Sequence, residues 1–511
     1  MGAKRLEFWR WPPSGGRAPQ TLAPRPRAAH ARPAAARKLL GVKSRLSQLP
    51  YVTSPLNVAI LAAGQGKRMH SALPKVLHPL AGRPLASHVI GTVRALSPRM
   101  VAVVIGHGGD AVAEALGSAD LKFVVQDPPR GTGDAARVAL AAMPQDGVTL
   151  VGLGDVPLVP AAGLAAIVEH ARRGDVGLLT ARVANPAGLG RVVRDAAGGV
   201  RAIVEDRDAS AAERAIDEIN TGFIAAPTAL LSGWVSQLTP HNAQGEYYLT
   251  DIVAMAVAEG VPVSAHVAAD EREVRGVNDR AQLVYAERLL QLRRAHALLE
   301  AGAWIADPAR FDVRGTLTCG RDVRIDVGCV FEGDVTLGDG VDVGAHCVLR
   351  DIAIGAGTAI LPFSHLEDAR VGVGCRIGPY SRLRPGAVLG DDVHIGNFVE
   401  IKASTLGDGA KANHLAYVGD SDVGRDVNFG AGSITANYDG ANKHRTVIGD
   451  NVHIGSNCVL VAPIVIGAGA TIGGGSTIVA EAPANTLTLA RARQVSIAGW
   501  KRPAKKPKAA K

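Results

Sequence analysis

The tightest constraint on this chain is a beat of six residues. Val371, Ile377, Leu383, Leu389, Ile395 and Ile401 fall in strict register, and so do Ile448, Ile454, Leu460, Ile466, Ile472 and Ile478. An earlier run, Ile325, Phe331, Leu337, Val343 and Leu349, keeps the same spacing. Glycine follows many of these positions, as at Gly378, Gly396, Gly455 and Gly467. A small residue sits four places on, as at Ser381, Cys458, Ala470 and Ser476. Helices repeat every 3.6 residues and strands every two, so neither sustains this beat. A parallel β-helix with three short faces per coil does, because each corner returns an aliphatic side chain to one interior stack. Slips of one residue, from Leu349 to Ile354 and from Leu366 to Val371, fit corners of slightly variable length.

Charge is distributed unevenly. The formal net charge of +9 over 511 residues comes from the two ends: residues 1–50 hold 11 Lys or Arg against one acidic residue, and 501–511 hold six without any. The rest of the chain nets −7, so no basic stripe lies on the folded part and no nucleic-acid partner is expected. Asn451 to Ala480 contains no Asp, Glu, Lys or Arg. Glycine on the six-residue beat makes it strands and corners rather than a membrane span. All five cysteines lie in the repeat region without a CxxC pair, which argues against zinc and for free thiols in a reducing cytoplasm.

Five segments follow from these patterns. Residues 1–52, rich in Ala, Pro and Arg, read as a disordered basic extension, with a transit peptide or a start assigned too far upstream as alternatives. Residues 53–281 alternate apolar runs (Val58–Leu61, Val101–Ile105, Val148–Leu153) with helical stretches, the pattern of an α/β sheet covered on both faces. Residues 282–302, with Leu283, Leu289, Leu290, Leu292 and Leu298 nearby among charges, read as a linker helix. The β-helix takes 303–488, and 489–511 is a basic tail.

The first strand runs into Leu61-Ala62-Ala63-Gly64-Gln65-Gly66-Lys67-Arg68-Met69, and Pro74-Lys75 follows. A glycine-rich turn between strand and helix presents backbone N–H groups to phosphate. Neither GxGxxG nor GxxxxGK[ST] is present. Arg68 and Lys75 add charge suited to a triphosphate whose pyrophosphate leaves. Asp155, in Leu153-Gly154-Asp155, puts a carboxylate at a strand end, where ligands of open α/β sheets gather, although a single Asp there is often only a turn or cap.

In the β-helix, polar residues break the repeat at Arg382–Gly386, Asn397–Lys402, Asn413–Tyr417 and the insertion Ala436–Lys443. Arg384 and Lys402 are 18 residues apart, one three-sided coil, so they stack on one face. Two stacked cations call for an anion, and a sugar phosphate suits. His414, between Asn413 and Tyr417, carries an imidazole, the side chain that most often serves in proton transfer, and is a candidate general base. Solvated surface cations and an idle histidine are the plain alternatives.

The opening motif resembles that of the sugar nucleotidyltransferases, LxxGxGxRM…PK, with Lys67 where Thr is usual. Over about 57–505 the chain resembles the bifunctional UDP-N-acetylglucosamine pyrophosphorylase/glucosamine-1-phosphate N-acetyltransferases. The resemblance implies an α/β fold in two parts. A Rossmann-like nucleotidyltransferase domain at the N-terminus is followed by a left-handed parallel β-helix of hexapeptide repeats, assembled as a homotrimer with acetyl-transfer sites between subunits.

By position, Leu61, Ala62, Ala63, Gly64, Lys75, Gln126, Gly131, Thr132, Leu153, Gly154, Gly190, Glu205 and Asn220 would meet nucleotide and sugar. Gln126 and Gly131-Thr132-Gly133 would face the uracil. Asp155 and Asn278 would hold Mg²⁺, and Arg68 and Lys75 the phosphates. His414 would be the base, Arg384, Lys402, Tyr417, Asn428 and Lys443 would bind glucosamine-1-phosphate, and Ala431, Asn437, Tyr438, Ser456, Gly474 and Arg491 would lie along acetyl-CoA. Lys501, Arg502, Lys505 and Lys506 would hold CoA phosphates or merely solubilise the tail. Leu153 stands where an aromatic is common and Gly474 where alanine is.

The implied reactions acetylate glucosamine-1-phosphate and then transfer UMP from UTP to N-acetylglucosamine-1-phosphate, feeding cell-wall peptidoglycan and lipopolysaccharide synthesis. The alternatives are a single-activity sugar-1-phosphate nucleotidyltransferase with an oligomerising β-helix, and an inactive sugar-nucleotide-binding scaffold.

Overall fold

A computed structural model describes residues 54–504, apart from Gln65, His107 and Ser118. The expected extension at 1–52, and Lys505 and Lys506, lie outside the described residues. Those that follow Val52 form one compact unit.

The N-terminal half is built on a nine-stranded sheet. In chain order its strands are β1 (Leu56–Leu61), β2 (Met100–Ile105), β3 (Leu121–Val125), β4 (Val148–Leu153), β5 (Val176–Arg182), β6 (Arg191–Arg194), β7 (Val200–Val204), β8 (Glu218–Pro227) and β9 (Val263–Val267). Their spatial order is β9-β5-β8-β4-β1-β2-β3, with β6 joining β8 to β7 at one side. Along β1 the side chains alternate between two cores: Val58 and Ile60 enter one, Ala59 and Leu61 the other. A strand buried on both faces needs an unbroken apolar run, which is why β1 reads as one. β1 pairs in parallel with both β2 and β4, so the winding reverses there and a crevice opens beyond the ends of β1 and β4. β8 runs antiparallel between β4 and β5. Nothing local in a sequence states which way a strand will run.

The expected linking helix spans Arg280–Glu300, capped by the Asp279 side chain on the Gln282 N–H. Leu283, Leu289 and Leu290 pack on a small core with Leu80, Leu85 and Leu158 of the α/β half, while Leu298 packs on the β-helix core. Gln291 is fully buried. Its Nε2 donates to the Val313 carbonyl at 2.9 Å and its Oε1 accepts from the Val313 N–H at 2.8 Å, so a side-chain amide pairs with the first β-helix coil as a strand would.

From Trp304 to Thr488 the chain is a coil of short parallel strands. Eleven strands make one face, and fifteen make the other two. The strand His365–Val371 pairs with both Arg382–Leu383 and Ala387–Leu389, which marks where a long bent strand splits at a corner. Most successive coils are offset by 17 or 18 residues, as in Ile360↔Ile377 and Ile377↔Ile395. One offset is 25, Phe429↔Ile454, because Ala436–Lys443 loops out of the coil. The six-residue positions fill one continuous core, each large aliphatic contributing about 1.5–3 kcal/mol of burial. The small residue four places on is also buried, and where it is Ser381 its hydroxyl donates to the Gly396 carbonyl at 2.6 Å. Gly396 has to be glycine: a Cβ there would overlap the Asn413 carbonyl of the next coil.

Candidate active sites

Beyond β1 the backbone turns through Gly64 and Gly66 into a three-residue 3-10 turn, Lys67–Met69. No full helix follows, so the expected helix N-terminus is replaced by turn N–H groups without an aligned macrodipole. Gly66 sits at φ +60, and a Cβ there would approach the Lys75 Cβ to 2.6 Å. Glycine therefore lets the turn close over Lys75. The Lys75 ammonium contacts Asp155 Oδ2 and lies 3.1 Å from Asn278 Oδ1. Three residues from different parts of the chain converge: Lys75 after the turn, Asp155 beyond β4, and Asn278 before the linking helix. The Asp155 carbonyl accepts the Val277 N–H at 2.8 Å and ties the last two together. Asp155 Oδ1 is buried and has no partner among the described residues.

A cleft of about 680 Å³ opens beside this cluster, lined by Leu61, Thr132, Leu153, Asp155, Gly190, Glu205, Asn220 and Asn278. Gly190 lies over the Glu205 carboxylate, and its carbonyl accepts the Asn220 N–H at 2.9 Å. Burial pushes the Glu205 carboxyl above its ordinary range, against the hydrogen bond that Thr250 donates at 3.0 Å. Leu153 packs against Gly222, occupying the place where an aromatic ring was in question. Arg68 and Gly64 are exposed on the turn, and Arg68 does not line this cleft. Gln126 is buried beyond β3, its amide donating to the Gly131 carbonyl at 3.1 Å. Gly131 and Thr132 are fastened to the 242–251 segment, through Tyr247 N–H to the Arg130 carbonyl and Leu249 N–H to Thr132 Oγ1.

On the β-helix, one corner carries a column of expected residues. Asn397 pairs with His414 across adjacent coils. The His414 carbonyl accepts the Gly432 N–H, the Ala431 carbonyl the Asn457 N–H, and the Ser456 carbonyl the Gly475 N–H, at 3.3, 2.7 and 2.8 Å. Arg491 Nη1 then donates to the Gly474 carbonyl at 2.8 Å. His414, Ala431, Ser456, Gly474 and Arg491 thus stand one above another, although the insertion stretches one of their spacings to 25. The column's histidine is exposed, and its Nδ1 lies 3.2 Å from Asn397 Oδ1. An acceptor oxygen there holds the proton on Nδ1 and leaves Nε2 free to take one.

Beside the column, Arg384 and Lys402 do stack as expected, but each already has a carboxylate. Arg384 Nη1 lies 2.8 Å from Glu400, and Lys402 Nζ 3.0 Å from Asp420. Carboxylates of the protein itself thus compensate both cations. Lys443 approaches Lys402, which holds the Lys443 ammonium below its ordinary value. Three cations and two carboxylates leave the cluster with one net positive charge. Asn437 Nδ2 contacts Asp420 and lies 3.2 Å from the Tyr417 hydroxyl. Tyr438 is exposed on the inserted loop, its hydroxyl on the Gly440 carbonyl at 2.6 Å. Asn428 stands on the neighbouring face, 3.4 Å from His453. Glu400 and Asp420 were missed from sequence, although Asp420 lies one 18-residue coil beyond Lys402.

Three family models match: the MobA-like NTP transferase domain at 58–219, the GMPPB C-terminal domain at 313–406, and the bacterial transferase hexapeptide (six repeats) at 445–480. Fold and family models together define a nucleotidyltransferase joined to a hexapeptide-repeat acyltransferase. Relatives named bifunctional protein GlmU match across both halves. That of Bordetella parapertussis is 58% identical over 456 residues, 88% of this chain and 100% of its own. That of Methylibium petroleiphilum is 58% identical over 458 residues, again 88% and 100%. That of Nitrosospira multiformis is 55% identical over 456 residues, 89% and 99%. A putative glucose-1-phosphate thymidylyltransferase structure from Bacillus anthracis covers 46% of this chain and 94% of its own, at 20% identity and a TM-score of 0.38, a likeness too slight to argue from.

The chain belongs to the GlmU family. It is a bifunctional enzyme, a UDP-N-acetylglucosamine pyrophosphorylase and a glucosamine-1-phosphate N-acetyltransferase, and its coil is the left-handed hexapeptide β-helix.

Proposed function

We propose that the Lys75–Asp155–Asn278 cleft carries the uridylyl transfer and the His414 column the acetyl transfer. Acetylation of glucosamine-1-phosphate comes first, and UDP-N-acetylglucosamine leaves for cell-wall synthesis. The observation that carries this reading is the column itself: an exposed imidazole with Nε2 free, a cation cluster beside it and a straight track above it.

In the column, Nε2 of His414 takes the proton as the sugar amine attacks the thioester carbonyl. The carbon–sulfur bond breaks, CoA leaves as thiol, and turn N–H groups bear the developing oxyanion. Arg384, Lys402 and Lys443 hold the sugar phosphate, with Tyr417 and Asn428 beside it. Ala431, Asn437, Tyr438, Ser456, Gly474 and Arg491 lie along acetyl-CoA.

In the cleft, a phosphate oxygen of N-acetylglucosamine-1-phosphate attacks the α-phosphorus of UTP in line, and pyrophosphate departs. Lys75 and Arg68 neutralise the phosphates, and Gln126, Gly131 and Thr132 receive the base. The donor set fits Mg²⁺: Asp155 Oδ1 is a buried oxygen without a partner and Asn278 Oδ1 is a second hard ligand, with substrate phosphates to complete the shell. Such an ion, when bound, supplies Lewis acidity and charge neutralisation.

A homotrimer is supported by an exposed ridge on the column's own corner. Phe363, Tyr380 and Phe398 stack at centroid distances of 5.1 and 5.4 Å, and Leu415, beside His414, continues it. The five free thiols support a cytoplasmic enzyme.

Thiol release from acetyl-CoA with glucosamine-1-phosphate, without UTP, tests the acetyl-transfer site. The wild type is expected to release thiol, and His414→Ala to lose about 10²–10⁴-fold in rate while still releasing pyrophosphate from UTP in the second reaction. Full acetyl transfer by His414→Ala would remove the column as the site.

A further inference from the structure

The buried Asp134, on the helix that follows the Gly131 turn, is not used by the reactions above. It is 2% exposed, yet its carboxylate is fully engaged. Arg130 and Arg137 both donate to Oδ1, Arg130 at 3.2 Å, and both guanidiniums lie over the Tyr247 ring, at 5.9 and 5.2 Å. Oδ2 takes a single donor, the Nε2 amide of Gln126, at 2.9 Å.

A side-chain amide has a donor end and an acceptor end, and which end faces a site decides what that site can read. The NH₂ end of Gln126 meets two acceptors, Asp134 Oδ2 and the Gly131 carbonyl. Neither has a proton to give back. A flipped amide would set an oxygen against a buried carboxylate and a carbonyl, at the cost of both hydrogen bonds. Gln126 and the two arginines hold the Asp134 carboxyl below its ordinary range despite its burial, so it stays an acceptor through neutral pH. Gln126 Oε1 has no partner among the described residues.

We propose that Asp134 is a specificity-positioning residue: it locks the Gln126 amide so that only an acceptor oxygen is presented to the nucleotide base. This rests on the reading above that Gln126 meets the base. An acceptor pairs with the imino N–H of a uracil ring. It opposes the unprotonated ring nitrogen at the same place in cytosine, so the pair selects UTP over CTP without touching the base through Asp134 itself.

The test is the ratio of kcat/KM for UTP and CTP in pyrophosphate release with N-acetylglucosamine-1-phosphate, for the full chain. Asp134→Asn can serve Gln126 as acceptor or donor, so only the Gly131 carbonyl still favours the NH₂ end, and the UTP:CTP ratio is expected to fall about fivefold, the scale of one hydrogen bond. Arg137→Gln removes an ion pair but leaves the lock, and should hold the wild-type ratio. The double variant Q126E/D134N reverses donor and acceptor across the contact with residue 134 and still turns an oxygen outward, at the cost of the Gly131 contact. It should recover the preference that D134N loses, and it keeps the test open if D134N folds poorly. Two results overturn the proposal. If D134N keeps the wild-type ratio while Gln126→Leu loses it, Gln126 reads the base without Asp134. If Gln126→Leu also keeps it, the placement of the base at Gln126 falls as well.

Discussion

The two candidate sites are built in opposite ways. In the α/β half, Lys75, Asp155 and Asn278 meet from positions up to 203 residues apart, each at the end of a different element, beside a cleft. In the β-helix, neighbouring site residues come from adjacent coils and stand on an exposed corner, in a register of 17 or 18 residues broken once by the inserted loop. A sheet collects chemistry by folding distant loops to one edge, whereas a solenoid collects it by repetition, each coil resting on its neighbours. The first kind of site comes walled. The second is an open surface.

If the sites are as separate as this contrast holds, chelation should split the activities most sharply. EDTA is expected to stop pyrophosphate release and leave thiol release from acetyl-CoA at its original rate; loss of both would break the comparison. Asp155→Asn should cost uridylyl transfer about 10²-fold, the scale of removing one electrostatic stabiliser from a preorganised site, with acetyl transfer untouched.

Stability offers a gentler test. Ile401 is fully buried in the six-residue stack, one residue before Lys402. Ile401→Ala should destabilise by about 2–5 kcal/mol, seen as a lower denaturant midpoint, and acetyl transfer should be lost on heating before uridylyl transfer. Simultaneous loss would mean that the Arg280–Glu300 helix couples the halves into one cooperative unit. Asn397→Ala removes the acceptor beside His414 Nδ1; at about 1 kcal/mol for one hydrogen bond, acetyl-transfer kcat should fall about fivefold.

The smallest effect concerns the thiols. Burial pushes the Cys329 thiol up to about 11 and the Cys347 thiol to about 12, and Cys375 and Cys458 are buried as well. A thiol reagent at pH 8 should leave these four unmodified in the native protein and reach them after unfolding. Rapid native labelling would show that the coil opens readily.

Much of this was legible beforehand, for reasons that differ between the halves. The six-residue beat predicted the coil, its interior stack and the stacking of Arg384 on Lys402, because a solenoid maps sequence spacing directly onto height. Lys75, Asp155 and Asn278 could be nominated only through motif resemblance, since no spacing links them. The antiparallel course of β8, the three-residue turn in place of a helix, and the carboxylates already paired with Arg384 and Lys402 were not foreseen. Strand direction, turn closure and ion-pair choice depend on neighbours far away in the chain. Asp134 went unnoticed for the same reason: an Asp in the first turn of a helix reads as a capping residue until Gln126, at the end of a different strand, is seen to rest on it.

What the sequence by itself determined is the class of each half: an apolar run buried on both faces, and a period that only a three-sided coil can satisfy. Both are local regularities of hydrophobic placement, and local order carries them. Only the tertiary structure decided which polar groups meet. It set the Lys75 ammonium between Asp155 and Asn278, turned the Gln126 amide on Asp134, and aligned His414 with Ser456 and Gly474 across an insertion that hides their register. Those pairings depend on short-range contacts between groups brought together by folding, and a one-dimensional string carries no distance between them.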